Sequence, residues 1–283
     1  MRHTTTAVFL LIGLAYSASA AAQLAPPNST GVAMGQLHYH VKDVEANRKF
    51  WTALGAVATK QGATEVLKLP GVLIFLTQGA SSGGTNGSVV NHVAFRVQSF
   101  AAVEQAGFMV QRLAQFPGVG SINTPEGERI ELFENAATNL TFTLDSGGND
   151  ATADRHNHPL PIPIAFHHIH LYVPQGAAVE AKNWYAQTFG GVPGKRSNYD
   201  AVDFPGVNLN FSSNAAASVP TRGRMLDHIG FEVANLEKFC QGAAARGVKF
   251  DAPYTKGPDG VATAVLTDPW GTTIELTEGL NRW

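Results

Sequence analysis

The sequence predicts an α+β fold made of tandem βαβββ units, two units to a domain. Three observations carry that expectation: blocks of sequence that recur in order, six-residue runs that alternate apolar and polar residues, and a helix-like stretch after each such run.

Four blocks recur. Phe50-Trp51 ahead of Leu54-Gly55 matches Trp184-Tyr185 ahead of Phe189-Gly190. LPGVLIFLT from Leu69 matches FPGVNLNFS from Phe204 at an offset of 135, and NHVAFRV from Asn91 matches DHIGFEV from Asp227 at 136. TPEGERIEL from Thr124 matches DPWGTTIEL from Asp268 at 144. A kept order with a slowly drifting offset is what duplication followed by loop insertion produces.

The elements follow in chain order. Residues 1–22 read as a secretory signal peptide: Arg2 and His3, an apolar run from Ala7 to Ala15, then small residues with cleavage expected after Ala22. That apolar run is too short to span a bilayer. The expectation is an exported protein, periplasmic or extracellular, with no membrane association after cleavage. A first domain is expected over 34–135. In it QLHYHV from Gln36 alternates as a half-buried strand does, and VEANRKFWTALG from Val44 reads as a helix closed by glycine. VLKLP and GVLIFLT complete one unit, and HVAFRV from His92 opens the next. Gly147-Gly148 and PLPIPI mark 136–163 as a linker. A second domain over 164–280 repeats the plan: HIHLYV from His168, VEAKNWYAQTFG, AVDFP, GVNLNFS, HIGFEV from His228, LEKFCQGAAARG, TAVLT and TIELTE.

Composition narrows the function. Twenty Lys and Arg against 22 Asp and Glu give a net charge of −2, or −3 once Arg2 is removed, so no basic field exists for nucleic acid. Cys240 is the single cysteine, which excludes an internal disulfide and a thiolate zinc site. It falls in a predicted helix and reads as packed rather than reactive. Any metal must be held by His, Asp, Glu or amide oxygen.

Residues two apart on a strand share a face. His168, His170 and Tyr172 therefore point one way, and His228, Gly230 and Glu232 point one way on a later strand. Glu275 stands between Ile274 and Leu276 on the last strand. Two histidines and a carboxylate from three strands suit Fe2+ or Mn2+ with open positions left over, and Zn2+ fits as well. The plainer alternative gives His168 and His228 separate partners and leaves Glu275 solvated. In the first half, Gln36, His38 and His40 share a face, as do His92, Ala94 and Arg96. Arg155, His156 and His158 read as solvated linker, SSGGTNG as a loop, and His167 as facing away from His168.

The paired βαβββ units, the HxxLxV-like opening strand and the closing DPxGxxIEL resemble the vicinal oxygen chelate superfamily, which includes glyoxalase I, extradiol dioxygenases and bleomycin-binding proteins. The resemblance implies two paired-module glyoxalase/dioxygenase-like domains with cup-shaped sheets. Metal ligands there come from the first and last strands of a unit. Carried over, they are His168, His228 and Glu275 in the second domain, and Gln36, His92 and Glu131 in the first. His38 is an alternative to Gln36, and Arg96 is expected to pair with Glu131 in a degenerate, internally hydrogen-bonded first copy. Val265 stands where extradiol enzymes place a tyrosine, so proton transfer would fall to His170, Tyr172 or Glu232. The expectation is an exported, divalent-metal-dependent enzyme, monomer or homodimer, acting on a small substrate through adjacent oxygens by dioxygenase-, lyase- or isomerase-like chemistry. The rival is a non-enzymatic protein that sequesters a small molecule.

Overall fold

The computed structural model describes residues 24–135, 137, 140–149, 160 and 162–282. The signal segment, half of the linker, and Arg155, His156 and His158 lie outside the described residues.

The chain runs through four β-α-β-β-β units. The first is β1 (Val32–Val41), α1 (Val44–Ala53), β2 (Val57–Gln61), β3 (Thr64–Leu69) and β4 (Val72–Gln78). The second is β5 (Val90–Val97), α2 (Phe100–Gln105), β6 (Gln111–Arg112), β7 (Val119–Asn123) and β8 (Arg129–Glu134). A short β9 (Phe142–Leu144) precedes β10 (Ile164–Pro174), α3 (Ala178–Phe189), β11 (Val192–Arg196), β12 (Tyr199–Phe204) and β13 (Val207–Asn214). The fourth is β14 (Leu226–Val233), α4 (Leu236–Ala245), β15 (Ala252–Lys256), β16 (Ala262–Thr267) and β17 (Thr273–Glu278), ending in a 3-10 turn at Leu280–Arg282. No helix among the described residues is long and apolar enough to cross a membrane.

The pairing of these units is crossed. One sheet has the order β15-β16-β17-β14-β1-β4-β3-β2, joining the first unit to the fourth. The other has the order β6-β7-β8-β5-β10-β13-β12-β11-β9, joining the second to the third. The sequence-contiguous domains 34–135 and 164–280, each closing its own cup, are therefore not what the strands form. Each sheet takes one unit from each half, and its central seam is antiparallel, β1 on β14 or β5 on β10. The first seam depends on two glycines. A Cβ on Gly35 would lie 2.8 Å from the Glu232 nitrogen, and one on Gly230 would lie 2.5 Å from Gln36 Cγ. Gly35 also sits where the β1/β14 register shifts, between Met34 and Gln36.

Local chemistry sets the helices. Asp43 caps α1 by accepting from the Ala46 nitrogen at 2.9 Å, and α3 stops at Gly190, whose φ of 72° suits glycine. Both helices lie between the sheets. Trp51 of α1 meets Tyr39 of the first sheet at 6.3 Å and Phe95 of the second at 5.6 Å. In α3, Phe189 packs on Phe231 of the first sheet and Tyr185 on Phe211 of the second. Each such buried aromatic contributes on the order of 1.5–3 kcal/mol of burial free energy. With the apolar strand faces committed to this core, the opposite, helix-free face of each sheet carries the polar residues.

Two histidine clusters on the helix-free faces

In-register pairs place the candidate ligands. On the first sheet His38 lies opposite His228, and Gln36 opposite Gly230. On the second, His170 lies opposite His92, and His168 opposite Ala94. Parallel neighbours bring in Glu275 beside Gly230 and Glu131 beside Ala94.

The expected sets are thus assembled with their first members exchanged. His168 does not join His228 and Glu275; the crossed pairing puts it with His92 and Glu131. His228 and Glu275 have Gln36 and His38 as neighbours. The physical reason lies in β1 and β10. Each bonds to a strand from the other half, so a ligand set read along one half is divided between two sheets.

In the second cluster, His92 Nε2 and His168 Nε2 lie 3.3 Å and 3.5 Å from the same oxygen, Glu131 Oε2. Arg129 holds the other carboxylate oxygen at 3.3 Å. Arg96 does not pair with Glu131 as expected; it donates to Asn135 Oδ1 at 2.9 Å. His92 Nδ1 is 2.9 Å from Asn91 Oδ1, which can only accept from it, so the Nε2 lone pair is left facing Glu131. His168 Nδ1 meets His167 Nδ1 at 2.9 Å, while His168 Nε2 is buried without a hydrogen-bond partner, as is Asn210 Oδ1 on the neighbouring strand. His92, His168 and His170 are buried, and their ligand atoms fall within 4.8 Å of one another. Burial drives His92 and His170 down to about 3 and His168 well below the usual imidazole range, so all three are neutral and their lone pairs are available to a cation. His170 Nε2 is 2.8 Å from Ser212 Oγ, its ring stacks on Tyr172 at 5.2 Å, and Tyr199 meets it edge-on at 4.8 Å.

The first cluster is more open and differently charged. His228 Nε2 and His38 Nε2 lie 3.4 Å and 3.9 Å from Glu275 Oε2, and the Gln36 amide donates to that same oxygen. His38 stacks between Phe75 at 4.5 Å and His228 at 4.1 Å. Burial, then the neighbouring His228, pushes His38 well below the usual range. His228 goes the other way. Burial opposes its charge, but Asp227 Oδ1 at 2.6 Å and Glu275 outweigh that and raise it. Burial likewise opposes the charge on Asp227, yet the His228 bond and the Gly223 N–H hold it at about 2. Where the second sheet has Asn208 and Asn210 beside its histidines, the first has Leu73 and Phe75. Leu24 and Leu280 pack with Phe75, Leu73, Val66 and Val261 on this face.

Two further expectations are corrected. Glu232 is not free for proton transfer. It accepts from the Gly279 and Leu280 nitrogens at 2.7 and 3.0 Å and from Thr277 Oγ1 at 2.9 Å, pinning the C-terminal turn. His167 does not face away. It occupies a register shift in β10 between Phe166 and His168, and its ring lies 5.0 Å from Phe133 beside His168. Cys240 is buried, with its thiol pushed up to about 11 by burial. Sequence reading assigned no role to Asn91, Tyr199, Asn210 or Ser212. Alternation along NLNFS, which puts Asn208, Asn210 and Ser212 on one face, was the available signal for two of them.

Residues 165–276 match the model of the Glyoxalase/Bleomycin resistance protein/Dioxygenase superfamily. Glyoxalase I from Zea mays superposes with a TM-score of 0.61 at 14% identity, covering 89% of this chain and 94% of that one. A point mutant of the same maize protein gives 0.63 at 13% identity, covering 89% and 95%. A putative dioxygenase from Bacillus subtilis subsp. subtilis str. 168 gives 0.58 at 14% identity, covering 91% and 86%. At such identities the likeness is one of fold. No curated protein matches the sequence.

Proposed function

We propose that this chain is an exported, divalent-metal-dependent enzyme of the vicinal oxygen chelate type, with its centre in the second cluster. His92, His168 and Glu131 would hold the metal. One observation carries the reading: two neutral imidazole nitrogens aim at one carboxylate oxygen, and one of them, His168 Nε2, is buried without a hydrogen bond. His228 Nε2 of the first cluster is buried likewise and converges with His38 and Glu275, but Asp227 and Glu275 favour the charged form of that ring, which repels a cation. A buried polar atom in that state costs on the order of 1–3 kcal/mol unless something completes it. Fe2+ or Mn2+ suits a His–His–carboxylate set, with Zn2+ acceptable.

The bound metal would supply Lewis acidity to a substrate chelating through adjacent oxygens. The protein's own contribution is positional. Asn91 fixes the His92 tautomer, and Arg129 turns Glu131 so that Oε2 faces both histidines. Neutral His170, tethered to Ser212 and walled by Tyr172 and Tyr199, borders the place where substrate would lie. At about 3 it is the neutral imidazole near neutrality, with one ring nitrogen unprotonated, so it serves as an acceptor or as an additional ligand rather than as a general acid. The half-exposed Tyr172 and the exposed Tyr199 are the better placed donors.

Metal analysis of the purified protein tests this. One ion bound in the second cluster should vanish in a His92→Ala/His168→Ala variant and persist in His228→Ala. Metal content indifferent to His92 and His168 would sink the proposal. Stoichiometric ligand capture without turnover by the metal-loaded protein would favour the sequestering alternative. Export is tested by N-terminal sequencing of the secreted form, which should begin at Gln23.

A further inference from the structure

Away from both histidine clusters, a crevice of about 600 Å3 opens where the segment before β1 meets the end of α3 and the start of α4. Lys238 and Arg246 both line it, and no carboxylate does so among the described residues. Lys238 makes no ion pair among the described residues, and Arg246 makes only a 3.4 Å contact from Nη2 to the Thr188 carbonyl. Both side chains are exposed, so solvent screens their mutual repulsion, but among the described residues no carboxylate neutralises either of them at the crevice.

Their spacing is constructive. Lys238, Gly242 and Arg246 fall four residues apart on α4 and its C-cap, so they form one stripe. The missing side chain at Gly242 leaves the space between the two cations open, and a Cβ there would meet Arg246 Nη1 at 3.5 Å. Phe239 also lines the crevice and stacks on Phe189 at 6.0 Å with only 5° between the rings. Asn235 contributes an amide that is not used in capping. It adopts a left-handed conformation with φ 56° rather than the extended one of a capping residue, and its side chain makes no cap bond; Glu278 accepts from the Leu236 nitrogen at 2.9 Å.

The corresponding helix α2 has none of this. There Ser99 caps the helix by accepting from the Ala102 nitrogen at 3.2 Å, alanine stands at 102 where α4 carries Lys238, and Ala106 caps the end where Arg246 caps α4. The fold therefore does not require the cations.

We propose that this crevice binds a small organic dianion, a phosphomonoester carrying a flat apolar group. Lys238 and Arg246 take the phosphate oxygens with help from the Asn235 amide, and the apolar group lies against Phe239. Phenyl phosphate is the probe, followed by calorimetry at low and high salt, with inorganic phosphate and phenol as partial ligands. Saturable binding at one site is expected, weakened by salt and stronger than either partial ligand. It should fall roughly tenfold or more in Lys238→Glu/Arg246→Glu and survive in His92→Ala/His168→Ala. Gly242→Leu fills the crevice while keeping both cations, so binding should be lost there with the melting temperature preserved. Absence of saturable binding at millimolar probe, or binding that survives both charge reversal and the Gly242 change, overturns the assignment. So does binding lost with the histidine pair, since it would belong to the metal cluster.

Discussion

Acid should unfold the metal-free protein through its buried histidines. His92 and His170 are held at about 3, against about 6.5 in an unfolded chain. A lowered folded value fixes the sign. Below about 6.5 the unfolded imidazoles take up protons while the folded ones stay neutral, so this stability is fully present above that pH and drains away as pH falls toward 3. At about pH 5 each unfolded imidazole gains roughly 2 kcal/mol. The pair gives roughly 4 kcal/mol, because neither is charged in the fold at that pH and their mutual repulsion does not enter. His168 acts in the same direction. His228, being raised, acts oppositely: its contribution is complete below about 6.5 and fades as pH rises through its folded value. A loss near 4 kcal/mol is a large share of the 5–15 kcal/mol typical of a folded domain. Urea titrations of chelator-treated protein at about pH 7.5 and pH 5 measure it, alongside a His92→Gln/His170→Gln variant. The wild type should lose roughly 4 kcal/mol more than the variant between the two pH values. Equal losses would refute the argument that burial keeps these rings neutral.

Asn91→Ala removes the partner of His92 Nδ1 and should weaken metal binding about 10–100-fold in a chelator competition, leaving the fold intact. Tyr185→Phe deletes the buried 2.7 Å bond to Asp268 and should cost about 1–3 kcal/mol in thermal unfolding. Gly230→Ala puts a methyl 2.5 Å from Gln36 Cγ in the β1/β14 seam, and about 1–3 kcal/mol of destabilisation is expected by denaturant titration. Lys182 bridges Asp145 at 2.8 Å and Asp200 at 3.0 Å; Lys182→Met should speed limited proteolysis around 145–149 without touching metal content.

Strand alternation carried the element order and the polar face of each strand, because period two is a local property that burial on one face enforces. It also put His168 with His170 on one face, whereas His92, Glu131, His228 and Glu275 were singled out as a set by the family resemblance. What alternation cannot encode is the partner. β5 and β14 present the same pattern, so either satisfies β1 on periodicity alone. The choice rests on contacts between residues far apart in sequence, such as Gly35 against the β14 backbone and His167 at the shift in β10. Glu232 was misread for a related reason. Its face was legible, but the backbone nitrogens of Gly279 and Leu280 that occupy it come from a turn at the end of the chain. Lys238 and Arg246 carry no local signal that sets them apart from other helix cations; the crevice they line with Gly242 and Phe239 forms only in three dimensions.

The crossed seams make the two halves mutually dependent. A protease cut inside the linker would leave both ladders in place, β1 on β14 and β5 on β10, so the nicked molecule should migrate as one particle until denatured. Produced separately, each fragment would carry half of each ligand set and two unpaired central strands, an invitation to bind its missing counterpart or a second copy of itself. The molecule is in this sense a tethered dimer, and its metal affinity should become concentration-dependent once the tether is removed, by the same mass action that governs any two-part assembly.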